Sequence, residues 1–222
     1  MNKLGLIKCV IFDCDGTLID SERLCIQAQV DVLESVGVEV EYQWLKQNYQ
    51  GTKIDHILGN LIEDKSLLEL GGLNQLIARY RARCNQLFSE ELVPIEGVIE
   101  VLDTLLEKQI LICIASNAPH EKMDITLPLT NLAHYFDGRV YSAYDAKKWK
   151  PDPGLIHFVM DKMSVTSEEC LFIDDSLVGI EAGVKAGVKT LYFAHDTNAS
   201  TQQKEHQLLY RITALKEILQ FV

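Results

Sequence analysis

The chain has 222 residues, 47% of them hydrophobic, and 32 acidic against 21 basic side chains give a formal charge of −11. That length suits one substantial domain, or a core domain carrying a smaller insert, and the apolar fraction is enough for a packed core. Negative charge spread along the chain without a basic cluster argues against a nucleic-acid or anionic-membrane partner, and no run approaches the ~20 apolar residues of a membrane span. The first five residues lack the basic and apolar regions of a secretory leader, so a cytoplasmic location is expected. The six cysteines, Cys9, Cys14, Cys25, Cys84, Cys113 and Cys170, form no C-x-x-C pair. Several fall in apolar strand patterns, so buried reduced thiols are expected rather than disulfides or zinc ligands.

The first element is a buried-strand pattern, Val10-Ile11-Phe12, which runs into Asp13-Cys14-Asp15-Gly16-Thr17. In extended chain a spacing of two aims Asp13 and Asp15 to the same side, and the glycine lets the chain turn sharply away. Two acids so placed repel each other unless a cation or a shared proton relieves them. As a purely structural feature the same residues would make a strand-ending turn.

From Ser21 to about Phe88 the apolar residues recur at helical spacing. Cys25, Ala28, Val32 and Val36 mark one helix, with Gly37 as its stop. Ile54, Ile57, Leu58, Leu61 and Ile62 mark a second; Leu73, Ile77, Tyr80, Cys84, Leu87 and Phe88 mark a third. The turn-rich Pro94-Ile95-Glu96-Gly97 closes this block. Beyond it, strands are predicted at 110–115, 139–141, 170–173 and 188–193. Helices are predicted at 98–106, 121–127, 153–163 and 177–186, with a last one at 213–221. Strand alternating with helix implies a parallel sheet covered on both faces. The predicted architecture is therefore a doubly wound α/β core, residues 1–18 and 94–222, interrupted after its first strand by a helical insert of residues 19–93.

Ligands of such sheets bind outside the carboxyl ends of the strands. Those ends carry Asp13 and Asp15, Ser116 and Asn117, and Asp174 and Asp175, and the third strand is followed by Lys150. Four carboxylates in one cleft call for a divalent cation with oxygen ligands, and Mg²⁺ suits a carboxylate, carbonyl and water site shared with a phosphate. Ser116 and Asn117 can donate to phosphoryl oxygens, and Lys150 can hold the same group as a point charge. The bland readings are a turn at Ser116-Asn117 and a helix start at Lys150-Pro151-Asp152-Pro153, with Asp152 as cap and Pro153 first in the helix. The second explains the prolines and Asp152 but not the lysine. One acid of Asp174-Asp175 suffices to cap the next helix, which leaves the other without a structural purpose. Gly179, Gly183 and Gly187, four apart, read as a helix packed closely on the sheet. Other chemistries fit poorly: there is no P-loop, no G-x-S-x-G and no G-x-G-x-x-G, and the six histidines lack metal-ligand spacing.

With these four segments in order, the sequence resembles the haloacid dehalogenase superfamily, in its phosphatase branch with a helical cap inserted after the first motif. Ser116-Asn117-Ala118-Pro119 and Trp149-Lys150-Pro151-Asp152-Pro153 are similar to its bacterial sugar-phosphate phosphatases. The resemblance implies hydrolysis of a small phosphorylated metabolite, a sugar or sugar-acid phosphate, by a monomer or weak homo-oligomer. It makes Asp13 the nucleophile that forms an aspartyl-phosphate and Asp15 the general acid and base. Mg²⁺ would be held by Asp13, the Asp15 carbonyl, Asp174 and Asp175. Phosphoryl charge would be stabilised by Ser116, Asn117 and Lys150, and Thr17 would support the turn or the phosphate pocket. Lys53, on a loop between two cap helices, is the expected contact to an acidic or hydroxyl-rich leaving group, with a solvated surface lysine as the bland reading. Haloacid dehalogenases and phosphonoacetaldehyde hydrolases lack an acid at the Asp15 position, so Asp15 favours an oxygen leaving group. A β-phosphoglucomutase-like phosphotransferase is the main alternative, and a non-catalytic binding protein the reading from another class.

Overall fold

The computed structural model of the chain describes residues 7–49, 52–62, 71–194 and 210–222. It divides into two compact units, one of Met1–Ile19 with Val93–Val222 and one of Asp20–Leu92. Of the six histidines, His195 and His206 lie outside the described residues. No helix among the described residues is long and apolar enough to cross a membrane.

The first unit is built on a parallel six-stranded sheet in the order β3-β2-β1-β4-β5-β6. Its strands are β1 Cys9–Phe12, β2 Leu111–Ser116, β3 Val140–Ser142, β4 Cys170–Asp174, β5 Lys189–Phe193 and β6 Tyr210–Ile212. β1 is central and every residue in it is buried, as a parallel strand covered on both faces requires. One face of the sheet presents Cys9, Ile11, Cys113, Ala115, Cys170 and Phe172 to a core completed by Leu155, Ile156 and Val159. On the other side of β1, the Phe12 ring meets Phe136 edge to face, centroids 6.4 Å apart. Cys9 and Cys113, on neighbouring strands, bring their sulfurs to 3.9 Å. The contact with Cys113, and after it burial, raises the Cys9 thiol well above its usual range, which suppresses thiolate chemistry there.

The second unit contains helices α1 Glu22–Glu34, α2 Tyr42–Tyr49, α3 Ile54–Leu61 and α4 Leu73–Glu91. They share a core that includes Leu33, Leu45, Ile57, Leu58 and Leu76. α1 ends as its glycine predicts. Gly37 sits at φ +83°, its N–H bonds to Glu34 O at 3.0 Å, and Val38 N–H bonds to Leu33 O at 3.0 Å, the two bonds of a Schellman terminus. Arg23 joins the two ends of the unit, donating to Asp20 (3.0 Å) and to both the carboxylate and the carbonyl of Glu91 (2.9 Å each). α2 was not foreseen because it buries only Leu45, too little for a visible period.

Among the described residues of the α/β unit the α-helices are α5 Val98–Glu107, α6 His120–Leu129, α7 Ala143–Ala146, α8 Gly154–Met163 and α9 Leu177–Lys185. The predicted terminal helix is instead a 3₁₀ helix, Leu215–Gln220. Its buried residues, Leu215 and Ile218, are three apart, a spacing that eclipses side chains at three residues per turn. The Glu217 carboxylate reaches back to accept from the N–H groups of Thr213 and Ala214 at 2.8 and 2.9 Å, fastening its first turn. The three-residue strand β6 was also not foreseen, being too short to show alternation. The glycine series divides. A Cβ on Gly183 would lie 2.4 Å from Thr190 Oγ1 and 2.6 Å from Phe172 Cδ1, so α9 does press on the sheet there. Gly187 meets nothing and instead takes φ +73° just after the helix, so its role is termination.

Gly183 and Gly59 offer a paired test. Gly183→Ala should destabilise by about 1–3 kcal/mol through overpacking. Gly59, inside α3 with open space at its Cβ position, should gain about 0.5–1 kcal/mol on Gly59→Ala from helix propensity. Denaturant unfolding should move the two variants in opposite directions; a stabilised Gly183→Ala would contradict the tight helix-on-sheet packing.

Candidate active site

The sheet register decides where the acids emerge. Phe12 of β1 pairs with Ile114 of β2 on one side and Ile173 of β4 on the other. Asp13 and Asp174 therefore leave neighbouring strands at the same level, and Asp13 N–H still bonds to Ile173 O at 2.9 Å. Ser116 ends β2 on the other flank. These are carboxyl ends of adjacent parallel strands, in a sheet whose order runs outward from β1 in both directions.

Lys150 enters this cluster from the loop between α7 and α8. It is 6% exposed, and its ammonium donates to Asp13 Oδ1 and, at 2.7 Å, to Asp174 Oδ2. Burial by itself would lower the lysine pKa, but Asp13 and Asp174 outweigh it and hold the ammonium above its usual range. Asp13 carries the opposing effect. Burial pushes its carboxyl up to about 7, with Asp174 and Asp15 adding to the rise and Lys150 opposing it. Asp174 is fixed further by Ser176, whose N–H and hydroxyl both donate to Oδ1, at 2.8 and 2.6 Å. Ser176 in turn caps α9 by accepting from Gly179 N–H at 3.1 Å.

Asp13 and Asp15 do not continue a common strand, as their spacing suggested. β1 stops at Phe12, and residues 14–19 form a tight loop closed by Leu18 N–H to Cys14 O and Gly16 N–H to Ile19 O. Within it Asp15 turns to a different cation, with Lys122 Nζ donating to its Oδ1 at 2.7 Å. The buried Thr17 hydroxyl donates to Asp175 Oδ1 at 3.0 Å. Two glycines make room for the acids at and just after the end of β4. A Cβ on Gly16 would fall 2.3 Å from Asp175 Oδ2, and φ is +82° there. A Cβ on Gly179 would fall 1.8 Å from Asp174 Oδ2, so Gly179, read from sequence as sheet packing, accommodates a carboxylate instead.

Ser116 is buried, and its Oγ accepts from Ala118 N–H at 3.1 Å. The Asn117 amide spans the site, accepting from Lys150 N–H at 2.9 Å and donating to Lys150 O at 3.2 Å. Its side chain thus holds the Lys150 backbone, a task sequence reading did not assign to it. Asp152 accepts from Gly154 N–H at 2.8 Å, but the N-cap of α8 is Pro153 and the helix begins at Gly154, so the predicted cap and first helical residue each lie one position too early. Asp13, Asp15, Thr17, Ser116, Asn117, Lys150, Asp174 and Asp175 all belong to the α/β unit. Lys53 belongs to the helical unit, exposed and immediately ahead of α3. Lys122 was missed. The one available signal was a lysine in the first turn of a helix, where the dipole disfavours positive charge.

Asp13, Asp174 and Asp175 each bring a carboxylate oxygen within 4.8 Å of the others. Counting Asp15, four carboxylates face two lysines, and an all-oxygen donor set with surplus negative charge fits a hard divalent cation.

Residues 10–193 match the model of the haloacid dehalogenase-like hydrolase family. The 6-phosphogluconate phosphatase of Escherichia coli K12 is 35% identical over 196 residues, covering 87% of this chain and 85% of that protein. The phosphorylated carbohydrates phosphatase of Thermotoga maritima is 30% identical over 186 residues, 84% of each chain. Among solved structures, a haloacid dehalogenase-like hydrolase from Streptococcus pneumoniae shares the fold, with a TM-score of 0.79 over 97% of this chain and 98% of that one at 17% identity. A family match running from within β1 to the end of β5, together with these two relatives, shows that the chain belongs to the haloacid dehalogenase-like hydrolases.

Proposed function

We propose that this protein is a Mg²⁺-dependent phosphatase that hydrolyses a small phosphorylated sugar or sugar acid through an aspartyl-phosphate on Asp13. The observation that carries the reading is the buried triad of Asp13, Lys150 and Asp174 at the ends of β1 and β4, with Asp15 beside it on a separate lysine. The names of the two relatives, phosphatases of 6-phosphogluconate and of phosphorylated carbohydrates, support the substrate class.

In the first step an Asp13 oxygen attacks phosphorus in line, the ester P–O bond breaks, and Asp15 gives its proton to the leaving alkoxide. In the second, Asp15 takes a proton from water, the resulting nucleophile attacks phosphorus, and the acyl-phosphate bond breaks to release phosphate and restore Asp13. Lys150 holds the phosphoryl oxygens beside Asp13, and the Ser116 hydroxyl, whose oxygen already accepts from Ala118, donates to the same group. Asn117 keeps Lys150 in place through both ends of its amide. Asp13, Asp174, Asp175 and the Asp15 carbonyl are the donors we assign to Mg²⁺, which when bound offsets the crowded carboxylates and polarises the phosphoryl group.

Phosphate release should be measured with Mg²⁺ over a panel of phosphorylated sugars and sugar acids, 6-phosphogluconate among them. Turnover that survives in Asp13→Asn would remove the nucleophile assignment. Transfer to a second sugar hydroxyl without release of free phosphate would make the protein a phosphotransferase instead.

Asp15→Asn should lower kcat/KM by about 10²–10⁴, the usual range for a lost general acid and base, with a smaller loss for nitrophenyl phosphate than for alkyl phosphates. Equal losses for good and poor leaving groups would speak against acid catalysis by Asp15.

Metal-free protein should show the strain at Asp13 in its pH dependence. The folded carboxyl titrates near 7 against an ordinary 3.8, so between these values the native state binds more protons than the unfolded chain. The contribution of Asp13 to stability is thus fully present below about pH 4 and is lost as pH rises through about 7. In EDTA, Asp13→Asn should gain in Tm relative to wild type on going from pH 5 to pH 8, and Mg²⁺ should shrink that gain. A difference independent of pH would refute the raised titration.

A further inference from the structure

We infer that Lys122 is a positioning residue for the reaction, holding the Asp15 carboxylate in its working orientation. The inference rests on the acid and base role proposed for Asp15. Lys122 Nζ lies 2.7 Å from Asp15 Oδ1, and the two side chains are 25% and 23% exposed, so the contact is partly screened from water. The residues are 107 apart in sequence, and the bond links the loop after β1 to the first turn of α6, the helix that follows β2.

Helix stability does not explain the lysine. A positive charge in the first turn opposes the helix dipole, whereas a carboxylate there would have been favourable. Cluster electrostatics does explain it. Lys150 is committed to Asp13 and Asp174, so Asp15 requires a second cation, and Lys122 supplies it from the first turn of α6. Each of the two aspartates that exchange bonds or protons with substrate thus has its own lysine. The loop of residues 14–19 leaves the Asp15 side chain only part-buried, and an unanchored carboxylate there would sample rotamers away from the leaving-group oxygen. Misplacement of a reacting group by about 1 Å can cost about 10²-fold in rate. Lys122 itself is held by its N–H to Pro119 O at 3.1 Å, and its carbonyl accepts from the Thr126 hydroxyl at 3.1 Å. Residues 116–119, which carry Ser116 and Asn117, lead directly into the turn that presents Lys122.

A double-mutant cycle with two aryl phosphates tests this. Phenyl phosphate has a poor leaving group that needs a proton, and 4-nitrophenyl phosphate has a good one that does not. Lys122→Met keeps the apolar stem and removes the charge. It should lower kcat/KM for phenyl phosphate by about tenfold to a hundredfold and for 4-nitrophenyl phosphate by much less. Lys122→Arg should recover most of the loss, and the Tm of both variants should stay within about 2 °C of wild type, since partly exposed ion pairs add little to stability. In an Asp15→Asn background, Lys122→Met should change either rate by less than about twofold, because the group it positions is gone. Equal losses for both esters that persist in the Asp15→Asn background would overturn the inference and make Lys122 a direct phosphate contact. No loss in either background would return it to a surface ion pair. If Asp15→Asn itself fails to discriminate between the esters, the acid role of Asp15 falls, and the positioning role with it; if Asp15→Asn discriminates and Lys122→Met does not, only the positioning role falls.

Discussion

The buried ammonium of Lys150, bridging Asp13 and Asp174, is the interaction on which the rest of the site depends. Two carboxylates at one level on adjacent strands would otherwise face each other in a nearly water-free pocket, where unpaired charge costs several kcal/mol. One lysine cannot satisfy both. The carboxyl of Asp13 stays raised despite its contact with Lys150, because burial and the neighbouring acids together exceed what a single ammonium offsets. The protein therefore folds around a surplus of carboxylate charge of the kind a hard divalent cation fits.

Much of the surrounding sequence serves to hold these few atoms. Asn117 binds both the N–H and the carbonyl of Lys150, so the ends of β2 and of the α7–α8 loop are locked to one another. Ser176 directs Asp174 while capping α9, and Gly179 leaves the space that the same carboxylate occupies. Gly16 and Thr17 treat Asp175 in the same manner, one by leaving room and the other by donating a hydrogen bond. The loops after β1 and β4 are thereby coupled through side-chain contacts, in addition to the ladder between the strands. A substitution at either glycine would act on the acid first and on the backbone second, which is a different consequence from that at Gly183, where the neighbours are Phe172 and Thr190.

The separation of Asp13 from Asp15 has chemical sense. In the roles proposed for them, as nucleophile and proton carrier, the two aspartates would act on opposite sides of the breaking bond, one at phosphorus and the other at the leaving oxygen. Had β1 continued through Asp15, both carboxylates would have shared one environment and one lysine. The loop that begins after Phe12 divides them, giving Asp13 to Lys150 in the interior and Asp15 to Lys122 nearer the surface.

The amino-acid sequence by itself determined the alternation of strand and helix, the helical insert, the identity of the acids and serine at the strand ends, and the lysine that follows the third strand. Those features are written in local patterns: apolar runs, helical periods and glycine stops each depend on residues a few positions apart. The β1 pattern and the Gly37 terminus were legible for that reason, whereas the helix start near Asp152 was read one residue early. What only the tertiary structure decided are pairings across long separations. Lys122 reaches Asp15 across 107 positions and Asn117 reaches Lys150 across 33, and nothing in the neighbourhood of either residue announces its partner. The assignment of Gly179 to a carboxylate rather than to the sheet also required coordinates, because a spacing of four places a glycine on a helix face without saying what lies against it. Elements with little burial, α2 and β6, stayed invisible since one or two buried residues make no period, and the terminal 3₁₀ helix was mistaken for an α-helix because two apolar residues three apart satisfy both geometries.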